Sequence, residues 1–415
     1  MKYHIITYGC QMNKSDSERI AGILENDGYK AAPNINGADL VIVNMCSVRQ
    51  SAVNRVYGLS EKLADIKKKK PELRTILTGC ILSKDRKKMK NKFDEIISVQ
   101  EVNSTVSAIS GKNSSSIHPL YSSTFSAYIP IMTGCNNFCS YCVVPYTRGR
   151  EYSRPVSEIV SEIQRIIKKG YVEIILLGQN VNSYKNNQNF PELLKTIHNI
   201  PGKFWLSFLT SHPKDFSDEL IEVMANSPKI CPYIHLAVQS GDNQILKRMN
   251  RNYTIEQYEK IISKIRQKIP QINISTDIIV GFPGETKRQF AHTKKLMKKI
   301  KFDMAYIAQY SPRDKTDAAK LKDNVSSREK KRRNRVLNKI LKKTALRNNQ
   351  KYIGQKVEAL VIKPNQAKTK SFKNIELSKP AVPGTFIYCQ ITNAYSWGLI
   401  GDPLDTTQNN NINSD

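Results

Sequence analysis

The chain has 415 residues, 40% of them hydrophobic, which is enough for about two to four domains with buried cores and excludes a wholly disordered protein. Its 65 Lys and Arg residues against 36 Asp and Glu give a formal net charge of +29, which favours a polyanionic partner, although a merely solvated lysine-rich surface would show the same excess. No apolar run approaches the ~18 residues of a membrane span and the start MKYHIITYGCQ lacks a signal peptide, so we expect a cytoplasmic protein with reduced cysteines.

Strand-like and helix-like segments alternate through residues 1–110. The predicted strands are 2–9, 39–44 and 74–79. Helices are predicted at 15–29 and 51–70, and Ser15 with Glu18 has the spacing of a capping box at the start of the first helix. This alternation predicts an α/β fold with a doubly wound parallel sheet.

Three cysteines follow these three predicted strands. Cys10, Cys46 and Cys80 are separated by 36 and 34 residues, which corresponds to one strand–helix unit in each interval. All three therefore fall at the carboxyl edge of the sheet, where open α/β folds bind ligands. We interpret them as a site of three thiolates. The alternative is that they are three small apolar residues buried at strand ends.

A polar, serine-rich stretch at 111–124 predicts a linker, and a second alternating region follows at 125–350. Its predicted strands are 126–134, 172–178, 204–210, 233–241, 272–281 and 302–311. Helices predicted between them include 157–169 and 254–268. Six strand–helix units predict a complete or partial barrel, whose active site would lie at the carboxyl ends of the strands.

A cysteine triplet follows the first barrel strand in the segment TGCNNFCSYCVVPYTRG. Cys135, Cys139 and Cys142 have the spacing C-x3-C-x2-C, and no fourth Cys or His lies near them in the sequence. Thiolates select zinc, copper(I) or iron–sulfur clusters, and structural zinc normally takes four protein ligands. A four-iron cluster with three cysteine ligands leaves one iron open to a small chelating molecule. The triplet therefore favours such a cluster over zinc.

The last part of the chain is strongly basic and then rich in strands. Residues 327–351 carry eleven Lys and Arg on a predicted amphipathic helix, whose apolar stripe includes Leu337 and Leu341. The basic face suits phosphate, and a solvated helix face is the alternative. Residues 351–405 contain short strands separated by turn residues, which predict a small β-barrel before a polar tail.

The cysteine triplet at the end of a first barrel strand resembles the signature of the radical S-adenosylmethionine (SAM) superfamily. The resemblance implies that Cys135, Cys139 and Cys142 hold a [4Fe-4S] cluster, whose open iron binds the amino and carboxylate groups of SAM. In that superfamily an electron from the reduced cluster cleaves SAM to a 5′-deoxyadenosyl radical, which attacks C–H bonds that acid–base chemistry cannot break.

From residue 1 to about residue 404 the chain is similar to the methylthiotransferases, a family within that superfamily. The segments that carry the resemblance are, in order, TYGCQMNKSDSERI, VIVNMCSVRQSAVNRVYG, LTGC, GCNNFCSYCVVPYTRGREYSRP, LLGQNVNSY, HLAVQSGDNQILKRMNRNYT, STDIIVGFPGET and QYSPRDKTDAA. Within the family, YGCQMN and CSVR resemble the MiaB-type branch, which acts on tRNA.

This resemblance implies a tRNA-modifying enzyme that converts N6-isopentenyladenosine at position 37, just 3′ of the anticodon, to its 2-methylthio derivative. Cys10, Cys46 and Cys80 would hold an auxiliary [4Fe-4S] cluster whose open iron carries the inserted sulfur. One SAM would donate the methyl group and a second would supply the radical. The methylthiotransferase, radical SAM and RNA-binding TRAM domains would be 1–110, 125–350 and 351–405. Flavodoxin or ferredoxin could donate electrons, and a monomer would suffice.

Further residues near strand ends are candidate contacts to SAM or substrate, with loop capping as the alternative. In the superfamily the end of the second barrel strand contacts the SAM amino group, which implies Gly178, Gln179 and Asn180 here. The other candidates are Gln239, Ser240 and Asp277. Three arginines after the triplet could bind phosphate or the SAM carboxylate, or form ion pairs within the fold; they are Arg148, Arg150 and Arg154.

Two other functions are compatible with parts of the sequence. The same chemistry could act on threonylcarbamoyladenosine in tRNA or on a ribosomal protein, and the long basic helix favours RNA over protein. A basic RNA-binding protein with structural zinc is the alternative from a different class.

Overall fold

The computed structural model describes residues 1–99 and 118–404. The predicted linker lies partly outside these ranges, and the predicted polar tail lies outside the described residues. The strands are β1 (Lys2–Tyr8), β2 (Lys30–Ala31), β3 (Leu40–Cys46), β4 (Arg74–Cys80), β5 (Glu95–Ile96), β6 (Ser126–Pro130), β7 (Met132–Thr133), β8 (Tyr152–Ser153), β9 (Glu173–Leu177), β10 (Trp205–Phe208), β11 (Tyr233–His235), β12 (Asn273–Val280), β13 (Met304–Gln309), β14 (Lys356–Lys363), β15 (Gln366–Thr369), β16 (Asn374–Leu377), β17 (Phe386–Ala394) and β18 (Leu399–Leu404). The α-helices are α1 (Gln11–Asn26), α2 (Gln50–Lys69), α3 (Ser83–Met89), α4 (Val144–Thr147), α5 (Val156–Lys168), α6 (Phe190–His198), α7 (Asp218–Asn226), α8 (Asn243–Arg248), α9 (Ile255–Lys268), α10 (Lys287–Ile300) and α11 (Ser327–Gln350).

Five N-terminal strands form one parallel sheet in the order β2–β1–β3–β4–β5. The central strand β3 is buried along its whole length. Leu40 and Ile42 pack with α1 on one face, and Val41 and Val43 pack with α2 on the other. A strand covered on both faces needs apolar residues at every position rather than at alternate ones. The predicted doubly wound parallel sheet is confirmed.

The first helix begins at residue 11 rather than at the predicted residue 15. Cys10 is its N-cap residue, and the Cys10 backbone N–H donates to Asn13 Oδ1 at 3.3 Å. Ser15 and Glu18 lie inside the helix, so the predicted capping box is wrong. The Ser15 hydroxyl donates to the Tyr128 carbonyl at 3.3 Å, and the Glu18 carboxylate accepts from a serine of the segment before β6. These polar side chains join the N-terminal sheet to the central region.

The central region is a partial barrel made of two parallel three-stranded sheets. Their orders are β10–β9–β6 and β11–β12–β13. Two isolated parallel bridges, Leu206 with Ile230 and Ser211 with Leu236, join the sheets. One face of the strands packs under the surrounding helices in a single apolar core. The other face lines the interior of the barrel, and the carboxyl ends of all six strands lie at one edge.

The C-terminal strands form a closed barrel in the order β14–β15–β16–β18–β17, as predicted. Its β15–β16 turn docks against the lower, amino-terminal end of the central barrel. The Phe372 ring stacks on Tyr233 with centroids 4.5 Å apart, and Lys368 forms a 2.5 Å ion pair with buried Glu173. The C-terminal barrel therefore closes the lower end of the central one.

The basic helix α11 lies between the two barrels and packs on β13 through Leu337 and Leu341. Two of its basic residues are buried rather than presented to solvent: Lys330 pairs with Asp323 at 2.5 Å, and Arg333 pairs with Glu285 at 2.5 Å. The predicted basic face, which suits phosphate or solvent, therefore does not include these two residues. Among the described helices, none combines the length and apolarity needed to cross a bilayer.

Candidate active site

The N-terminal cysteines converge at the carboxyl edge of their sheet. Cys46 and Cys80 are the last residues of β3 and β4 and lie directly opposite each other in the parallel register. Cys10 follows β1, the neighbour of β3, and caps α1. The hydrogen bond between the two paired thiols lowers the pKa of Cys46, while the same bond and burial raise the pKa of Cys80. The structure thus brings the three predicted thiols together.

Two buried asparagines hold this trio in place. Asn13 Oδ1 accepts the Cys10 thiol at 3.3 Å, and Asn13 Nδ2 donates to Asn44 Oδ1 at 2.8 Å and lies 4.0 Å from the Cys80 sulfur. Asn44 Nδ2 in turn donates to the Asn13 carbonyl at 2.8 Å. The sequence reasoning did not single out either residue. Asn13 was visible within YGCQMN, one helical turn after Cys10, whereas Asn44 sits in an otherwise apolar strand.

A buried arginine from the central region completes this site. Arg148 Nε donates to Cys80 Sγ at 3.0 Å, and its Nη2 pairs with Asp16 Oδ2 at 2.5 Å. Only 3% of the Arg148 side chain is exposed. Because Arg148 stands just six residues after Cys142, it connects the two cysteine sites directly. Of the roles considered for it, the structure places it in an ion pair within the fold.

The central triplet lies in the loop that follows β7, above the barrel. Gly134 has a φ of +77°, and a Cβ there would lie 1.9 Å from the Arg150 carbonyl oxygen, so only glycine allows this loop to pack. The Cys142 N–H donates to the Cys139 carbonyl at 2.9 Å, which forms a tight turn within the triplet. Burial raises the pKa of Cys135, and burial raises the pKa of Cys142 to about 12.

A second buried arginine reaches this triplet. Arg251 Nη1 lies 3.7 Å from Cys139 Sγ, and its Nη2 donates to the Ala237 carbonyl. Burial works against thiolates, because charged groups lose their hydration. A fixed guanidinium beside the sulfur offsets that loss. The sequence reasoning did not identify Arg251, which is 112 residues away from Cys139 in the chain.

The donor set of each trio, three thiols beside a guanidinium, fits an iron–sulfur cluster. All six thiols are free. Within residues 1–99 and 118–404, no three His, Cys, Asp or Glu side chains lie close enough to hold one ion. Structural zinc needs its ligands to converge on a single point, whereas the cysteines of a cube bind different iron atoms. A guanidinium beside one sulfur of each trio suits the negative charge of such a group.

Of the candidate residues after β9, Asn180 makes structural hydrogen bonds, whereas Gln179 has an unpaired side-chain oxygen. Asn180 is buried, donates to Asp215 at 2.7 Å and accepts from the His212 N–H at 3.1 Å, so it ties the loops after β9 and β10 together. The Gln179 side-chain oxygen is buried and has no hydrogen-bond partner among the described residues. Gly178 faces the Met132 side chain just before the triplet loop. An unpaired buried acceptor at this position fits a bound donor such as an ammonium group.

The three other candidates lie around the end of β11 and β12. Gln239 has a φ of +64°, and its backbone N–H donates to the Asp277 carbonyl at 2.8 Å. Ser240 is fully buried, and its hydroxyl accepts the Asp242 N–H at 3.3 Å, which is a capping role. Asp277 lies inside β12, not at its end, and its side chain points into the barrel, where Oδ2 is 3.0 Å from His235 Nε2. Gln239 and Asp277 are thus neighbours, and Ser240 caps a loop.

The remaining two arginines have partners in the fold. Arg154 pairs with buried Glu162 at 2.9 Å and donates to the Pro130 carbonyl at 2.7 Å. The Arg150 guanidinium lies 4.4 Å from the centroid of the Phe138 ring, beside the triplet. Internal pairing therefore accounts for Arg154, and a cation–π contact orders Arg150.

Comparison with protein families gives two matches that follow this division of the chain. Residues 129–297 match the Radical SAM superfamily, and residues 2–100 match a family described as Uncharacterized protein family UPF0004. Among solved structures, the radical SAM methyltransferase TsrM from Kitasatospora setae has a TM-score of 0.56 and 14% identity over 77% of each chain. That likeness shows a shared fold.

Curated relatives match the chain almost from end to end. A tRNA-2-methylthio-N(6)-dimethylallyladenosine synthase from Syntrophomonas wolfei is 40% identical over 97% of each chain. Its counterpart from Dictyoglomus thermophilum is 39% identical over 97% of this chain and 98% of its own. With its radical SAM region and its second cysteine trio, this chain belongs to the methylthiotransferase family of radical SAM enzymes, in the branch formed by these tRNA-2-methylthio-N(6)-dimethylallyladenosine synthases.

Proposed function

We propose that this protein is a tRNA methylthiotransferase that converts N6-isopentenyladenosine at position 37 to 2-methylthio-N6-isopentenyladenosine. The N6-dimethylallyl group in the names of the relatives is the same substituent. The observation that carries the proposal is the pair of separate thiol trios, linked through Arg148, in a chain that matches such synthases over 97% of its length. The C2–H bond of adenine is not acidic enough for side-chain bases, so radical chemistry suits the replacement of this hydrogen.

We assign a [4Fe-4S] cluster and SAM to Cys135, Cys139 and Cys142, and a second [4Fe-4S] cluster to Cys10, Cys46 and Cys80. When bound, the first cluster would supply the electron for cleavage of SAM to a carbon radical, and the second would carry the sulfur to be inserted. The protein's own residues have three tasks here. The six cysteines would bind the two clusters. Arg148 and Arg251 stabilise the negative charge of the thiolates, and the apolar residues around Tyr141 exclude water from the cysteine triplet.

RNA binding is assigned to the basic surface and the C-terminal barrel. Most Lys and Arg residues of α11 remain exposed, and this helix joins the central barrel to the C-terminal one. An excess of 29 positive charges attracts the phosphates of tRNA at long range. We propose that residues 1–110, 125–350 and 351–405 act as sulfur-donor, radical and RNA-binding domains of a monomer.

The free state of all eight cysteines suits a reducing compartment, and we propose that the enzyme works in the cytoplasm with flavodoxin or ferredoxin as electron donor. The zinc-protein alternative is disfavoured, because residues 129–297 match the Radical SAM superfamily and the chain is 40% identical to a curated synthase over 97% of its length. The threonylcarbamoyladenosine alternative keeps the same cysteine chemistry, and the names of the relatives favour the isopentenyl substrate.

The test is nucleoside mass spectrometry of tRNA from a strain that lacks this gene. We expect the 2-methylthio product to disappear and N6-isopentenyladenosine to accumulate, with recovery when the wild-type gene is restored. Loss of a methylthio group from threonylcarbamoyladenosine instead would establish the alternative substrate. Unchanged tRNA nucleosides would rule out both. Anaerobic reconstitution adds a second readout, since a protein with iron–sulfur clusters is brown and a zinc protein is colourless.

A further inference from the structure

The interior of the central barrel carries a polar chain that the cysteine sites do not use. In the β11–β12–β13 sheet, alternate residues such as Ile274 and Ile278 point outward into the core. The residues between them point inward. They are Tyr233, His235, Asn273, Ser275, Asp277, Met304 and Tyr306. Asn273 and Ser275 at the lower end of this inner face are buried, whereas Asp277, Met304 and Tyr306 are open to the interior. A concave wall that is mostly polar and partly open suits contact with a polar ligand.

Four of these side chains form one continuous hydrogen-bonded chain. Tyr233 Oη lies 2.8 Å from Ser275 Oγ, Ser275 Oγ lies 2.8 Å from His235 Nδ1, and His235 Nε2 lies 3.0 Å from Asp277 Oδ2. A carboxylate can only accept, so His235 Nε2 must carry the hydrogen of the last bond. The lower end is sealed by Phe372, which stacks on Tyr233. The chain therefore fixes the Asp277 carboxylate from below.

The upper end of the chain is open. The Asp277 side chain is 41% exposed, and apart from His235 its carboxylate has no hydrogen-bond partner among the described residues. Tyr306 is the register partner of Asp277 on β13, is 57% exposed, and has its ring 5.9 Å from that of His235. An oriented acceptor and an exposed aromatic ring thus lie side by side below the cysteine triplet, on the inner wall.

We propose that Asp277 and Tyr306 form the subsite that reads the target base, with Asp277 accepting the N6–H of the substituted adenine and Tyr306 stacking on its ring. His235 acts as a positioning residue for Asp277. This assignment rests on the proposed function, in which the substrate base is an N6-isopentenyl adenine. An adenine with a single N6 substituent keeps one N–H, which is the donor that an aspartate can recognise.

Two other ligands, a phosphate group and SAM, fit the site around Asp277 and Tyr306 less well than a base does. A phosphate group would be repelled by the Asp277 carboxylate. SAM must reach the cysteine triplet above the strand ends, where Gln179 and Gln239 are available. Asp277 lies deeper, within β12 and three residues before its end at Val280. A base that enters from the carboxyl edge can reach it.

The test uses two anticodon stem-loop RNAs that differ in one atom at the target base. One carries N6-isopentenyladenosine, and the other carries O6-isopentenylinosine, in which an ether oxygen replaces the N6–H. Binding to the reconstituted holoenzyme with SAM and without reductant is measured by fluorescence anisotropy. We expect wild type to bind the amine RNA roughly tenfold or more tightly than the ether RNA, because the ether cannot donate a hydrogen bond to the charged acceptor.

Three variants separate the contributions of Asp277 and Tyr306 to RNA binding from those of an unrelated surface residue. Asp277→Asn keeps the shape of the side chain and adds an N–H donor, so the preference for the amine RNA should fall to near one. Tyr306→Leu should weaken binding of both RNAs by about the same factor, roughly tenfold, and keep the preference. Asp218→Asn on the exposed surface of α7 is the matched control, and it should keep the wild-type affinity for both RNAs and the wild-type preference for the amine RNA.

Each outcome decides the matter. The subsite is overturned if Asp277→Asn keeps the full preference for the amine RNA, or if it raises the KM for SAM while the RNA ratio stays as in wild type. Because both RNAs are compared on the same variant, a general loss of folded protein cannot change the ratio. Methylthio product from wild type on the amine RNA tests the proposed function separately, so the subsite can fail while that function stands.

Discussion

Each trio of cysteines has an arginine whose guanidinium lies against one sulfur. Arg148 contacts Cys80 at 3.0 Å, and Arg251 approaches Cys139 at 3.7 Å. Neither arginine is close in sequence to the cysteine it contacts. The two trios thus follow the same electrostatic rule although they stand on different sheets, since a buried thiolate is tolerated only beside a compensating positive charge.

Removal of one cysteine from each trio should affect SAM cleavage and methylthio product formation differently. Cys10→Ala should still cleave SAM to 5′-deoxyadenosine but should form no methylthio product, because only the sulfur-donor site is lost. Cys139→Ala should stop both reactions, because three cysteines are needed for the SAM site. Liquid chromatography of 5′-deoxyadenosine and of tRNA nucleosides measures the two yields. Methylthio product at wild-type level from Cys10→Ala would contradict the two-site assignment.

His212 should make the folded state sensitive to acid. Burial, together with the nearby Arg251 and Lys214, lowers its pKa to about 2. As pH falls below about 6.5, the unfolded chain binds a proton at this residue and the folded protein does not. Stability contributed by His212 is therefore full above pH 6.5 and declines toward acid, by up to about 1.4 kcal/mol per pH unit.

Urea unfolding of wild type and His212→Gln between pH 7.5 and 5.5 measures this effect. We expect the stability of the two proteins to converge as the pH falls, because the variant lacks the titrating ring. His118→Gln, at an exposed position, is the control. A difference between wild type and His212→Gln that stays constant over this range would contradict the prediction.

At the scale of elements, α11 has two roles that its sequence does not separate. The adjacent residues Arg332 and Arg333 both pair with Glu329, but 49% of the Arg332 side chain is exposed and only 3% of that of Arg333. Arg333 also pairs with Glu285, which follows β12 and is 1% exposed. The helix is therefore anchored to the carboxyl edge of the barrel by one arginine and presents the next one to solvent.

Replacement of Arg333 should lower the free energy of unfolding more than replacement of Arg332. Arg333→Met leaves the Glu285 carboxylate buried without its partner and should lower the free energy of unfolding by roughly 3–5 kcal/mol. Arg332→Met removes an exposed ion pair and should cost less than about 1 kcal/mol. The double variant Arg333→Met with Glu285→Leu should recover part of the loss. Urea denaturation measures all three, and equal costs for the two single variants would refute the anchoring role.

At the scale of the whole molecule, the N-terminal sheet contacts the central barrel and the C-terminal barrel docks at its lower, amino-terminal end. Ser15 and Glu18 of α1 bind the central region, Arg148 reaches back to Cys80, and the β15–β16 turn closes the lower end of the barrel. Arg148 links the two cysteine trios, so the two proposed cluster sites lie on the side of the molecule where the carboxyl ends of the strands meet. The basic helix α11 begins near the carboxyl edge, where Arg333 pairs with Glu285, and ends at the C-terminal barrel, where Asn349 donates to the Tyr395 carbonyl.

This arrangement predicts that tRNA binding depends steeply on salt. Exchange of Lys339, Lys342 and Lys343 to Gln should weaken tRNA binding and reduce the slope of log K against log salt by about 0.7–0.9 for each phosphate that the variant no longer neutralises. Exchange of Lys62, Lys68 and Lys69 on α2 to Gln removes the same charge from another surface and is the matched control. Filter binding over a series of salt concentrations measures both slopes. Equal slopes for the two triple variants would contradict a specific role of α11.

The sequence by itself determined the parts that repeat along the chain. Hydrophobic periodicity predicted the parallel sheet, the six barrel strands and the small C-terminal barrel. Cysteines at matching places in successive strand–helix units had to meet at one edge, because parallel strands end on the same side. The family resemblance added the reaction. The predicted start of α1 was wrong, because Ser15 and Glu18 serve contacts with the central region instead of a cap.

Only the tertiary structure decided which distant side chains meet. Arg148 and Cys80 are 68 residues apart, Arg251 and Cys139 are 112 apart, and His235 and Asp277 are 42 apart. An arginine on a basic surface and an arginine beside a buried thiol look alike in the sequence, because the difference lies in burial and partner. Local periodicity fixes which face of a strand a residue occupies, whereas the packing of the three parts against one another determines what that face contacts.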